Sequence, residues 1–403
     1  MYTASALCAI GAEKVLSNEL KKLSLRVLES GFGRVRFEAD IKGLWLALLA
    51  LRTADRVLLE VARFEAKDFD GLFEGTKAID WQQYIPETRT VKIDKVRSKQ
   101  SALRAETSIQ AVVHKAIAAV LCEKRGLERL SDWQEACSIR VYMEKDRATL
   151  MLDLCGEPLF RRGWRSEAGT APLRETTAAA ILLYELWRRK TPLHDPFCGS
   201  GTFLVEALLY AWDIAPGLGR PFTLADLPFN EAGVEEATRA ELRKRIDTSR
   251  PIRLFGSDSD PRSVAIARSN LRRAWELASG KPFTRGARGD DARPAGTPDC
   301  WPRIEQLELP QARSAEHDGL LLTNPPWGER LGDKAQAEAT YRQMGILRER
   351  FPDWKLAFIT NHEGFESHFG FAASDVHEVS SGAIRSYLYT YNPTGGAGHV
   401  NRR

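Results

Sequence analysis

Asn324 stands at the head of an unusual corner: within LLTNPPWGERLG, residues 321 to 332, it is followed by Pro325, Pro326 and Trp327. The residues before it, Leu320 to Thr323, read as a buried strand. Proline has no N–H for a sheet ladder, so that strand must stop at the corner. Two carbonyl acceptors are thereby presented together, the Asn324 side chain and the Pro325 backbone, beside an aromatic ring. Such a pair can grip both hydrogens of a planar amine and polarise its nitrogen for attack on an electrophilic carbon, with Trp327 stacked on the ring that bears the amine. An amine of this kind belongs to a nucleobase or an amide. The plain structural alternative is a Pro-Pro loop with a packed tryptophan.

Three other stretches supply groups that an adenosyl ligand would need. In HDPFCGSGTFLVEAL a strand delivers Asp195 and Pro196, Gly199 and Gly201 bracket Ser200, and a helix opens at Thr202. Glycines at such a turn let backbone amides approach a ligand, and a helix N-terminus favours an anion. The loop is not a P-loop, because no Lys-Ser/Thr follows the second glycine, and Leu204 stands where a dinucleotide fingerprint places its third glycine. A turn with no ligand is the alternative. In LFGSDSDPRSVAIARSNL the strand ends at Asp258 and Ser259, a carboxylate placed to accept two ribose hydroxyls, while Asp260 before Pro261 reads as a helix cap. In ARGDDARPA, Asp290 and Asp291 follow what reads as a short strand and suit an adenine amine. The order of glycine loop, ribose acid and adenine acid fits S-adenosylmethionine better than NAD.

Regular elements must hold these groups. From residue 1 the pattern is strand, helix, hairpin, helix, strand, a βαββαβ ferredoxin-like unit expected over residues 1–65. A second α+β module over 66–155 contains a strand TVKIDKVR, a long helix from about Leu103 to Glu123, and a hairpin SIRVYMEKDRATLMLDL. In that helix Ile109, Val113, Ala116, Ile117 and Val120 recur at helical spacing and should face a core, with His114 and Lys115 beside the stripe. An Arg- and Gly-rich stretch, RRGWRSEAGTAPLRET, marks a junction, so residues 156–190 are read as a linker and the first helix of a larger C-terminal domain. Over 191–395 strands and helices alternate, which implies a mainly parallel, Rossmann-like α/β sheet with ligands at its carboxyl edge.

Composition narrows the classes. At 403 residues with 43% hydrophobic and 28% charged residues, the chain is of ordinary globular type and long enough for more than one domain. Its longest apolar run, LWLALLAL, is short of the ~20 residues of a membrane helix, so no membrane association is expected. The six cysteines (Cys8, Cys122, Cys137, Cys155, Cys198 and Cys300) form no CxxC, which argues against a zinc site and a disulfide framework; no metal and a reducing, cytoplasmic setting are expected. Residues 1–165 carry 28 Lys+Arg against 23 Asp+Glu, and the remainder 30 against 31. Between Arg89 and Arg104 lie Lys92, Lys95, Arg97 and Lys99 against Asp94 alone, a solvated face or a nucleic-acid surface.

DPFCGSGT, GSDSDP and NPPWGERLG resemble motifs of class I S-adenosylmethionine-dependent methyltransferases that act on amino groups. RRGWRSEAGTAPLRETTAAAI and CAIGAEKVLSNEL narrow the resemblance to the THUMP-domain RNA guanine-N2 methyltransferases, in particular those acting on bacterial 23S ribosomal RNA, over residues 3 to 392. The resemblance implies a THUMP domain over 66–155, with Arg89, Lys92, Lys95, Arg97, Lys99 and Arg104 on an RNA surface. It implies that Asp195, Pro196, Gly199, Ser200, Gly201, Thr202, Asp258, Ser259, Asp291 and Asn324 surround S-adenosylmethionine, leaving S-adenosylhomocysteine as product. Asn324 to Trp327 would then hold a guanine flipped from its helix. Trp327 replaces a commoner tyrosine, and Ser381-Gly382 a commoner Asn-Gly, to which no role is assigned. No second methyltransferase domain follows, so one modification is expected, with no obligate protein partner. The rivals are a tRNA guanine-N2 enzyme, a protein glutamine methyltransferase and a non-catalytic RNA-binding assembly factor.

Overall fold

A computed structural model of the chain describes residues 1–131, 135–165, 173–279, 300–327, 333–381 and 384–393. The first half contains β1 (Tyr2–Leu7), α1 (Glu13–Lys22), β2 (Arg26–Gly31), β3 (Arg34–Ala39), α2 (Ile41–Ala50), β4 (Arg56–Glu65), α3 (Phe69–Lys77), β5 (Thr90–Lys99), α4 (Glu106–Arg125), β6 (Ala136–Glu144) and β7 (Arg147–Asp153). These strands make one seven-stranded sheet in the order β2-β3-β1-β4-β7-β6-β5. The first four are arranged as the ferredoxin-like pattern requires. The expected second module is not a separate sheet, however. Strand β4 is ten residues long, pairs β1 through Arg56 to Leu59 and pairs β7 from Leu58 to Glu65, so one strand belongs to both units.

Helix α4 buries Ile109, Val113, Ala116, Ile117 and Val120, the stripe that its spacing predicts, and leaves His114 and Lys115 exposed. It ends at Gly126, whose φ of +65° is the left-handed cap that a residue without Cβ adopts freely. As the crossover between parallel β5 and β6, α4 packs on one face of the sheet.

The second half contains α5 (Glu175–Tyr184), β8 (Leu193–Asp195), α6 (Thr202–Ala211), α7 (Val234–Lys244), β9 (Leu254–Asp258), α8 (Pro261–Ser279), β10 (Arg303–Gln306), β11 (Leu320–Thr323), α9 (Asp333–Met344), α10 (Leu347–Arg350), β12 (Lys355–Thr360), α11 (Phe365–Phe369), β13 (Asp375–Ser381) and β14 (Ile384–Tyr391). Its sheet runs β10-β9-β8-β11-β12-β14-β13, parallel except for β14, which is antiparallel to both β12 and β13. Strand order reverses between β8 and β11. In such sheets that reversal opens a crevice at the carboxyl ends of the strands. The strand beside β9 is β10, which the sequence pattern does not reveal. Asp290 and Asp291 lie outside the described residues, as does Gly382.

The halves join through backbone contacts. Ile10 and Ser380 exchange N–H···O bonds of 2.9 and 3.0 Å, bridging the first unit to β13. His377 of β13 stacks on Tyr184 with ring centroids 4.1 Å apart and lies 2.9 Å from the Gly11 carbonyl. A buried tryptophan of α2, Trp45, donates from Nε1 to Asn230 Oδ1 at 3.0 Å, and Gly217 N–H donates to Leu49 O at 2.9 Å. Among the described residues no helix is long and apolar enough to cross a membrane.

Candidate active site

The crevice between β8 and β11 gathers most of the residues singled out by their types and spacing. Asp195 ends β8, and its buried carboxylate accepts from Thr323 Oγ1 of β11 at 2.5 Å and from the Phe197 N–H at 3.2 Å. Burial pushes its pKa up to about 7 despite the Thr323 hydrogen bond. Asp195 thus ties the two central strands together from beneath the loop.

Two glycines of the loop do different work. Gly199 has φ +50°, and a Cβ built on it meets nothing within 4 Å, so its open side faces space that a ligand can enter. Gly201 has φ +79°, but its Cβ would come 3.1 Å from Ala267 Cβ and 3.3 Å from Ala267 Cα. The expectation of close ligand approach therefore fits Gly199, whereas Gly201 is required by the packing of the loop on α8. Gly201 N–H donates to Cys198 O at 2.7 Å, and the fully buried Asn270 donates to Ser200 O at 2.9 Å, so the turn is held from both sides. Gly201 is also the N-cap of α6 and supplies no side chain to it, leaving the first amides of that helix for an anion.

Asp258 closes the loop's other flank. Its Oδ2 accepts from the Gly199 N–H at 2.9 Å and its Oδ1 from the Asp260 N–H at 3.0 Å. Burial raises its pKa, with both backbone hydrogen bonds acting against the rise. Asp260 is a cap, as its position before Pro261 implies: it accepts from Arg262 N–H at 3.0 Å and Ser263 N–H at 3.2 Å. Leu307 N–H donates to Asp258 O at 3.1 Å and Gln306 Nε2 to Ser259 O at 3.2 Å, wrapping the end of β10 around that of β9. An exposed carboxylate, Glu308, comes directly after Leu307. It lies two residues past the end of β10, where its side chain takes part in a capping box with Gln311.

At the corner, Asn324 Oδ1 is buried and has no hydrogen-bond partner among the described residues. A buried carbonyl left unpaired costs about 1–3 kcal/mol, so such an atom marks a place where a donor belongs. The corner around it is rigid. Tyr341, fully buried on α9, donates its hydroxyl to Pro326 O at 2.7 Å, and Trp327 Nε1 donates to Ile359 O of β12 at 3.3 Å, leaving the ring partly exposed. Tyr341 packs edge-on against His362, beside which Glu338 and His368 converge. His362 Nδ1 accepts from the Gly364 N–H at 3.1 Å, and its Nε2 faces Glu338 Oε1 at 3.4 Å.

Sequence reasoning misses Arg165, which sits in the stretch read only as a junction. Its guanidinium donates to Ser200 Oγ at 2.8 Å, to Thr202 Oγ1 at 3.0 Å and to Glu175 Oε1 at 2.8 Å. The donor set around the crevice fits the cofactor inferred from sequence: open space above Gly199, uncapped amides at the start of α6 beside the Arg165-held hydroxyls, and a carboxylate at each of two strand tips.

The basic run divides. Lys95, Arg97 and Lys99 line a groove of about 820 Å³ together with Arg34 and Arg36 of β3, Arg56 of β4, and Arg140 and Tyr142 of β6. A bulge between Ile93 and Lys95 shifts the alternation of β5 and brings these three onto that side. At one end Phe32, in the β2–β3 hairpin and 88% exposed, lies 5.3 Å from Lys99 Nζ. Hairpin and β5 are opposite edges of the sheet, so the sheet curls until they meet. Arg36, Arg56 and Arg140 are paired with Glu60, Asp153 and Asp94, while Lys95 and Lys99 have no ion pair among the described residues. Arg89 departs from the expectation. It bonds Asp226 across the junction at 2.6 Å and Glu135 within its own unit at 3.0 Å, and Lys92 and Arg104 are exposed but do not line the groove.

Three family models match the chain: the RlmL ferredoxin-like domain over residues 3–58, the THUMP domain over 66–153, and the RMKL-like methyltransferase domain over 162–278 and 283–389. The protein named "Putative RNA methyltransferase YpsC" of Bacillus subtilis is 34% identical, with 97% of this chain and 96% of that one covered. The ribosomal RNA large subunit methyltransferase K/L of a Marinomonas species is 30% identical over 97% of this chain and 53% of its own. The chain thus spans about half the length of the K/L relatives it matches. Among solved structures, SMU.472 complexed with SAH is 31% identical with a TM-score of 0.84, covering 98% of this chain and 99% of that one.

Proposed function

We propose a function from one premise, that this chain belongs to the RMKL-like methyltransferase family: it transfers a methyl group from S-adenosylmethionine to the exocyclic N2 of a guanine in RNA, and its substrate is 23S ribosomal RNA. The observation that carries this reading is the buried Asn324 Oδ1, without a partner among the described residues, in a corner pinned by Tyr341 and by the Trp327 ring nitrogen. Bound S-adenosylmethionine supplies an activated methyl sulfonium. Asn324 Oδ1 and the Pro325 carbonyl would accept the two N2 hydrogens, fixing the amine and localising its lone pair on nitrogen, so that the N–C bond could form as the S–C bond breaks. The methylated nitrogen would then lose one proton to solvent water, and the sulfur would leave as the neutral thioether. Trp327 stacks on the flipped base. Placement and polarisation suffice, and the mechanism uses no metal or covalent nucleophile.

In this reading residues 1–65 and 66–155 deliver RNA, 156–190 form the linker with α5, and 191–395 form the catalytic domain. Asp258 takes the ribose hydroxyls, Gly199 and the start of α6 take the methionyl end, and a carboxylate beyond β9, Asp291 by its motif or Glu308 by its place after β10, takes the adenine amine. The test is single-turnover transfer of labelled methyl to ribosomal and transfer RNA, followed by nucleoside mass spectrometry. N2-methylguanosine in 23S RNA is the expected product. Label on adenosine, or label confined to tRNA, would replace the reading.

A further inference from the structure

We infer that Arg165 is a positioning residue for the amino-acid end of the cofactor, holding the Ser200–Thr202 hydroxyl pair so that one O–H donates toward its carboxylate; this rests on S-adenosylmethionine being the ligand of the crevice. The guanidinium reaches from the linker across to the loop, with Nη1 2.8 Å from Ser200 Oγ and Nη2 3.0 Å from Thr202 Oγ1. It is held there by Nε donating to Glu175 Oε1 at 2.8 Å, by Nη2 donating to Leu173 O at 3.4 Å, and by the Trp164 ring 4.9 Å beneath its central carbon. The side chain is only 16% exposed, and Glu175 less so.

The chemistry of the hydroxyl gives this arrangement its meaning. A hydroxyl has one proton and two lone pairs, whereas a guanidinium donates only. By filling a lone pair on each oxygen, Arg165 turns both O–H protons away from itself. The two oxygens are 3.4 Å apart, so one hydroxyl can donate to the other and the second proton is left to point outward. It points from the same turn as the uncapped amides of α6, which favour an anion. Glu175 cancels the guanidinium charge, so Arg165 acts through the orientation of its neighbours more than as a direct ion pair. Other arginines of the adjoining cleft are engaged elsewhere: Arg162 with Glu206, Arg174 with Asp55, and Arg220 with backbone carbonyls.

Calorimetric titration with two ligands separates this role from a general one. S-adenosylhomocysteine carries the amino-acid end, and 5′-methylthioadenosine has the same adenosine and sulfur without it. Arg165→Met should weaken S-adenosylhomocysteine binding about tenfold to a hundredfold, the loss of one or two hydrogen bonds to a charged group, and leave 5′-methylthioadenosine unchanged. Ser200→Ala should show the same selective loss, and the double variant should lose no more than the weaker-binding single one. Arg165→Lys, which keeps the charge opposite Glu175 but lacks the fork, gives a smaller selective loss and serves should the Met variant fail to fold. Equal weakening of both ligands, or unchanged S-adenosylhomocysteine affinity, overturns the role of Arg165. Failure of the wild-type protein to bind S-adenosylhomocysteine overturns the cofactor reading beneath it.

Discussion

The backbone amide of Gly199 donates to Asp258 Oδ2 at 2.9 Å, so the loop after β8 is pinned to the tip of β9 before any ligand arrives. One carboxylate therefore both shapes the loop and, in the proposed site, receives the ribose. Asp258→Ala should lower S-adenosylhomocysteine affinity by about 1.5–3 kcal/mol per charge-assisted bond removed. Calorimetry on the folded variant measures this, and an unchanged dissociation constant would mean that the ribose lies elsewhere.

The two loop glycines should fail differently. Gly201→Val forces a branched residue into a left-handed conformation, at about 1–2 kcal/mol, and against Ala267, so it should lower Tm markedly. Gly199→Ala meets no protein atom, so it should lower ligand affinity out of proportion to its smaller effect on Tm. Parallel thermal melts and titrations decide the assignment; equal behaviour of the two variants would remove the distinction.

Asp195 gives a pH signature. Its folded pKa, about 7, lies above the usual aspartate value, so the fold favours its protonated form. That contribution to stability is complete below the unfolded pKa and is lost as pH rises toward about 7. Asp195→Asn, neutral at every pH and able to accept from Thr323, should flatten the decline in Tm between pH 5 and 8 and raise Tm at the alkaline end. A wild-type Tm that does not fall across this range, relative to the variant, contradicts it.

The groove and the corner call for different measurements. Lys95→Ala with Lys99→Ala should weaken RNA binding and flatten its salt dependence by up to about 0.7–0.9 in slope for each phosphate no longer neutralised. Arg89→Ala should leave that slope intact while lowering Tm, because its partners are Asp226 and Glu135.

Asn324→Ala should fall on turnover, by about a hundredfold to a thousandfold for one preorganised acceptor. Tyr341→Phe, which frees the Pro326 carbonyl, should reduce turnover less and leave cofactor affinity alone. Trp327→Ala should chiefly impair capture of the base, since stacking is worth about 1–3 kcal/mol, and Trp327→Tyr should keep much of it. Single-turnover rates against RNA concentration separate these effects; a normal rate for Asn324→Ala would sink the amine-polarising role.

Local signals are readable from the chain and distant ones are not. The stripe of α4, the two glycines after β8 and the Asn-Pro-Pro corner each declare themselves within a few residues, by period or by residue type. Strand β10 buries only Ile304 of its four residues, so it carries no apolar run to find. That β4 would serve two units depends on β7, some 90 residues onward, and Arg89 is claimed by Asp226, 137 residues away. Arg165 is conspicuous only once Ser200 and Thr202, 35 and 37 residues further on, fold back to it. The burial of Asn324 Oδ1 likewise needs the packed corner, not just the motif.

Ile10 and Ser380 join the N-terminal unit to the catalytic sheet backbone to backbone, with His377 clasped between Gly11 and Tyr184. These contacts tie the two halves together along that edge, so the span between the basic groove and the Asn-Pro-Pro corner is laid down by the fold. In the proposed reading the molecule would work as a ruler: a nucleotide would be chosen by how far it lies, along the folded RNA, from a segment seated in the groove. Two guanines in identical local sequence would then be told apart by reach alone.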